Sequence, residues 1–93
     1  MIEENSYFDG TVKSLGFEQE GNAVTVGVML AGEYTFSTGA PERMTVVNGQ
    51  MVVKREGESV WHTFNNGDLF EVAGNSSFEL TVSVNTAYLC EYL

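Results

Sequence analysis

The chain has 93 residues and carries thirteen acidic side chains against four basic ones, a formal charge of −9. That balance repels a nucleic-acid backbone and an anionic membrane surface alike, so neither is an expected partner. The length fits a single domain over residues 1–93, and the modest core of so short a chain leads us to expect a homodimer that buries more apolar surface.

The opening stretch MIEENSYF is acidic and lacks the apolar core of a signal peptide. No later run approaches the roughly 20 apolar residues of a membrane span. A soluble, cytoplasmic protein is expected. From there, apolar and polar residues alternate in short runs, the period of strands, and predict strands at 7–17, 24–30, 33–38, 43–47, 51–55, 60–64, 69–72, 78–84 and 87–92. No segment carries a sustained helical stripe. Turn chemistry separates the runs at 19–22, 31–32, 48–50, 56–58, 65–68 and 74–76. Asn48-Gly49, between two apolar runs, predicts a β-hairpin, and Pro41 sits in a loop where its missing N–H is harmless. The even spacing predicts an all-β sandwich or barrel.

Few residues offer reactive chemistry. The single cysteine, Cys90, has no disulfide partner and lies in the apolar run AYLCEYL, which predicts a buried structural thiol. His62 is the only histidine, and one imidazole does not build a metal site of the usual multi-histidine kind. Along 33–38, alternation sets Glu33, Thr35 and Ser37 on one face and Tyr34, Phe36 and Thr38 on the other.

Two spacings point further. Gly32 and Gly49 bracket GEYTFSTGAPERMTVVNG, with Glu42 seven positions before the second glycine, and Gly67 is followed by DLFEV, Ala73 and then Phe78. These spacings resemble the two motifs of the cupins and imply a cupin-like antiparallel β-barrel, the double-stranded β-helix or jelly roll. Ala73 stands where the second motif usually has proline. The metal-binding histidines of the first motif align near Thr35 and Ser37 or near Phe36 and Thr38, and that of the second aligns with Phe78. Glu42 alone remains, and a lone carboxylate does not retain a transition metal against water. A cupin without metal is expected.

A narrower resemblance runs through YFDGTVKSLGF, GVMLAGEYTFSTGAPERMTVVNG, GDLFEVAGNSSFELTV and YLCEYL, from one end of the chain to the other. These strings are similar to the small cupins of the pyrimidine/purine nucleoside phosphorylase family, with Ala73 and Glu91 as departures. The resemblance implies a homodimer that converts many purine and pyrimidine nucleosides plus orthophosphate to free base and ribose 1-phosphate, with no metal and no cofactor.

Phosphorolysis passes through an oxocarbenium-like sugar and needs positioning and electrostatics more than a covalent nucleophile. For phosphate, Lys13 with Ser14 is one candidate pair and Arg43 another, while Lys13 reads equally as a solvated lysine on a strand edge. If the register of the metal motif is kept, Glu33, Thr35 and Ser37 line the old metal cavity with Glu42 and offer polar groups to ribose and phosphate. In the other register, the Glu33 face meets water. A carboxylate among apolar walls such as Met29, Met44 and Phe78 has a raised pKa and donates a proton to the departing base, so Glu33 and Glu42 are the candidate acids. Tyr34, Phe36, Phe78, Tyr88 and Tyr92 are candidate stacking surfaces for a base. A cupin that only binds or senses a small metabolite, and a purely structural dimer, are the competing readings.

Overall fold

Residues Met1–Leu93 are described in a computed structural model. The alternating runs form ten strands: β1 Glu3–Tyr7, β2 Val12–Gln19, β3 Asn22–Met29, β4 Gly32–Ser37, β5 Glu42–Asn48, β6 Gln50–Arg55, β7 His62–Asn65, β8 Leu69–Val72, β9 Ser77–Val82 and β10 Thr86–Tyr92. All pairings are antiparallel. They build a six-stranded sheet in the order β1-β2-β3-β10-β5-β8 and a four-stranded sheet in the order β4-β9-β6-β7. The sheets face each other as an open jelly roll, with no ladder closing one onto the other.

Two expectations change. The predicted strand 7–17 breaks at a single 3₁₀ turn, Phe8–Gly10, and its first residue joins the separate strand β1. Phe8, Asp9 and Gly10 all have positive φ (51°, 56° and 85°), which reverses the chain, although only glycine adopts that region without cost. The Phe8 ring packs against Tyr34 and Phe36, with centroids 5.0 and 5.4 Å away, and helps to hold the turn. Asn48-Gly49 is not a hairpin. β5 and β6 belong to different sheets, and this dipeptide is the corner where the chain crosses between them. Gly49 has φ 124°, and a Cβ there would approach the Thr86 Cα to 2.9 Å. Its N–H donates to Asn66 Oδ1 at 2.7 Å. Glycine is needed for the conformation and for the close approach together.

The core lies between the sheets and includes Val12, Met29, Val46, Met51 and Val53, all fully buried. Each such side chain contributes roughly 1.5–3 kcal/mol of hydrophobic stabilisation. The loop carrying Ala73 is tied without proline: the Thr38 hydroxyl donates to Ala73 O at 2.7 Å and accepts from the Ser76 N–H at 3.0 Å. With six strands facing four, β1 extends past the cover of the smaller sheet, and only Asn5 on it is even half-buried.

Candidate functional site

Strand alternation delivers Tyr88, Cys90 and Tyr92 to the inner face of β10. In register, Cys90 stands between Thr25 of β3 and Met44 of β5, and Tyr92 stands beside Glu42. Ser14 of β2 points to the same side, opposite Gly27. From the other sheet come Phe36 and Phe78, stacked with centroids 5.6 Å apart. Together with Tyr7, Met29 and Ser37 these residues enclose a cavity of about 140 Å³. Gly27 makes part of this arrangement possible, because a Cβ there would fall 2.6 Å from the Tyr88 ring.

Glu42 is the one carboxyl in the cavity wall. Burial raises its pKa above the ordinary carboxylate value, and a hydrogen bond from the Cys90 thiol, Sγ to Oε1 3.4 Å, offsets part of that shift. The Cys90 thiol is pushed up to about 12, by burial first and by the neighbouring Glu42 charge second. Cys90 is therefore a neutral donor and not a thiolate nucleophile. Tyr88 and Tyr92 are also pushed up to about 12, chiefly by burial, and keep their phenolic protons.

Positive charge lies elsewhere. Arg43 pairs with Glu71 at 3.0 Å, Lys54 with Glu79 at 3.4 Å and Arg55 with Glu58 at 3.0 Å. Lys13 is exposed on the outer face of β2. His62 is exposed too, with Nε2 3.3 Å from Glu58 Oε2. No three His, Cys, Asp or Glu side chains gather in a metal-binding group.

Of the residues singled out from sequence, the fold brings Ser14, Ser37, Glu42 and Phe78 together around the cavity, with Phe36, Tyr88 and Tyr92. It separates the others. Glu33 and Thr35 lie exposed on the outer face of β4, beside Thr81 and Glu79 of β9, so the register that would have turned them inward is not adopted. The reason is energetic: Tyr34 and Phe36 occupy the inner face, where rings gain from burial, whereas a carboxylate there would be desolvated. Tyr34 is spent on packing, and its hydroxyl donates to Leu30 O at 2.6 Å. Lys13 and Ser14 are split because adjacent residues of a strand point to opposite faces. Ser14 is buried and its Oγ accepts from Asn5 Nδ2 at 3.3 Å, while Lys13 stays outside. Tyr7, Thr25 and Cys90 were missed as site residues. For Cys90 a signal existed, since Tyr88, Cys90 and Tyr92 share the i, i+2, i+4 face of one strand.

Comparison with known proteins bears on the family and the fold. The family model described as pyrimidine/purine nucleoside phosphorylase matches residues 2–92. A Vibrio vulnificus protein named pyrimidine/purine nucleoside phosphorylase is 67% identical over 93 residues, covering 100% of both chains. A crystal structure from Vibrio parahaemolyticus, described as a protein of unknown function, superposes with a TM-score of 0.97 at 68% identity over 100% of this chain and 99% of that one. An RmlC-like cupin from Shewanella frigidimarina has a TM-score of 0.74 at 20% identity, covering 98% of this chain and 82% of that one, and shows the fold to be cupin-like. With the family model spanning nearly every residue, the chain belongs to the pyrimidine/purine nucleoside phosphorylase family.

Proposed function

We propose that the protein, acting as one cupin domain in the cytoplasm, is a nucleoside phosphorylase of broad specificity, a pentosyltransferase that needs no metal. The observation that carries the reading is the Glu42 carboxyl, held toward its protonated form by burial in the wall of a cavity floored by stacked Phe36 and Phe78. The base enters this cavity and is gripped by ring stacking and by Met29 and Met44. Contacts of that kind tolerate both purines and pyrimidines. An orthophosphate oxygen bonds to C1′ as the C1′–N bond breaks. The electron pair of that bond leaves with the base, which takes the Glu42 proton, and the proton lost from the new phosphate monoester restores the acid. Neutral donors at the cavity mouth, Tyr7, Thr25 and Tyr92, meet the phosphate, and a Glu42 carboxyl whose pKa is raised by burial opposes it less than an ordinary carboxylate does.

Incubation with uridine or adenosine, with and without orthophosphate, tests the reading. Free base and ribose 1-phosphate should appear only when phosphate is present, and the rate should survive chelation. Base release without phosphate would mean hydrolysis. The absence of Lys and Arg from the cavity wall favours a second reading, a cupin that binds or senses a small metabolite without turnover. Binding of a nucleoside with no release of base would establish it.

A homodimer accompanies the first reading. On the outer face of the six-stranded sheet, Leu15, Val26, Leu89, Thr45 and Leu69 form one row in register across five strands. Over those five strands the row holds no carboxylate, although the chain carries a charge of −9; the first carboxylate, Glu4, comes at its β1 end opposite Leu15, and Leu15, Val26 and Leu69 are exposed. A second copy is the occupant such a surface suits, since extended apolar patches mark association sites. Val26→Glu should turn a dimer into a monomer in light scattering, and a monomeric parent protein would sink the idea.

A further inference from the structure

The cavity is too small for a whole nucleoside. An engineered pocket of about 150 Å³ admits benzene, a single ring, and this one measures about 140 Å³, so it takes one ring of a base while the second ring of a purine reaches toward the mouth. If the base fills it, the ribose must lie outside. One surface continues directly from the cavity: a groove of about 680 Å³ that shares Tyr7, Thr25 and Tyr92 with it and runs along the uncovered inner face of β1, past Glu3 and Asn5. Gly16, opposite Glu3 in register, presents no side chain and leaves the groove open.

Resting on the phosphorylase reading, we infer that this groove is the ribose subsite, in which the Glu3 carboxylate and the Asn5 amide hydrogen-bond the vicinal sugar hydroxyls and set the preference between ribose and 2′-deoxyribose. Charge decides which reactant goes there. Beyond the three shared residues the groove is bordered by two carboxylates, Glu3 and Glu18, against a single cation, the Met1 α-amino group, and by no Lys or Arg, so its net charge disfavours a phosphate dianion there, while hydroxyl groups are ready donors to carboxylates. Asn5 Nδ2 is already anchored on Ser14 Oγ at 3.3 Å, which leaves its carbonyl oxygen as an acceptor at the edge of the cavity. The three shared residues, Tyr7, Thr25 and Tyr92, then surround C1′, the atom at which phosphate must arrive.

The test compares kcat/KM for uridine and 2′-deoxyuridine in the parent protein and in Glu3→Ala, Asn5→Ala and Gly16→Val. The two polar variants should reduce kcat/KM for uridine by about ten- to a hundredfold, the range expected on losing a hydrogen bond to a charged or buried group, and should reduce it far less for 2′-deoxyuridine. Gly16→Val should raise KM for both nucleosides: its Cβ would sit at ordinary contact distance, 3.6 Å from Thr25 Cγ2 and 3.7 Å from Glu3 Cβ, and its two further methyl groups would project into the groove. An active parent protein with the ribose-to-deoxyribose ratio unchanged in both polar variants and KM unchanged in Gly16→Val overturns the groove assignment alone. A parent protein that releases no base overturns the phosphorylase reading and takes this inference with it. Circular dichroism of each variant separates a lost contact from a lost fold.

Discussion

The space between the two sheets has a filled end and a hollow end. Val12, Val46, Met51, Val53, Leu80 and Val82 close the first to 2% exposure or less, while Ser14, Thr25, Glu42, Cys90 and Tyr92 border the opening at the second. The strands are partly the same. β2 passes from Val12 to Ser14, and β5 passes from Val46 through Met44 to Glu42, each step moving two residues along one face. One scaffold thus separates stability from chemistry along the strand direction. Polar groups are concentrated where burial is incomplete, and a carboxyl held there has its protonated form favoured.

The separation can be tested by damaging each end. Glu42→Gln removes the transferable proton from the hollow end and should lower kcat by about two to four orders of magnitude, the usual worth of a general acid. Its melting temperature should hold or rise, since a partly desolvated carboxyl has been replaced by an amide. Full activity in this variant would move the acid elsewhere. At the filled end, Gly49→Ala should cost about 3 kcal/mol or more of unfolding free energy in urea titrations. Two effects add there: strain at a φ of 124° and a Cβ within 2.9 Å of the Thr86 backbone. The folded fraction should keep its kcat.

The pH response sharpens the contrast. Because burial raises the Glu42 pKa, the folded protein holds that proton more tightly than the unfolded chain. The stability contribution of this group is therefore fully present below the ordinary carboxylate pKa and is lost as pH rises through the raised folded value. Activity should fall along the same limb. In Glu42→Gln the fall in kcat should flatten and the stability curve should lose this group's share, as kcat and thermal melts measured across pH would record. The smallest effect belongs to the outer faces: Glu33→Ala and Lys13→Ala should change stability by no more than about 0.5 kcal/mol and leave kcat/KM unaltered. A large loss in either would show that the outer faces of β4 and β2 take part after all.

Much of the strand pattern was legible because alternation has a fixed period of two. Runs 24–30, 43–47, 51–55 and 69–72 overlap β3, β5, β6 and β8 closely. The errors fell where local signals have two meanings. Asn48-Gly49 carries hairpin chemistry, yet the same left-handed glycine also suits a sheet-to-sheet corner, and only the partners of β5 and β6 distinguish them. The break at Phe8–Gly10 did carry a local signal, the turn dipeptide Asp9-Gly10, but it is embedded in an otherwise alternating run and follows Phe8, a residue that rarely adopts positive φ. In the site, Glu42 and Phe78 could be named from motif spacing, and Ser14 from its place beside Lys13 in a string that resembles the family. Thr25 and Tyr7 could not, since nothing near them in the chain announces the cross-strand neighbours that bring them to the cavity.

The sequence by itself determined the class of fold, the family and the carboxyl at position 42, because period, turn chemistry and motif spacing are local properties of the chain. It also divided β4 into two faces, Glu33 and Thr35 against Tyr34 and Phe36. Which face turned inward was decided only by the tertiary structure. Alternation is symmetric, and the choice rests on the energy of burying two rings against Phe8 and Phe78 rather than desolvating a carboxylate.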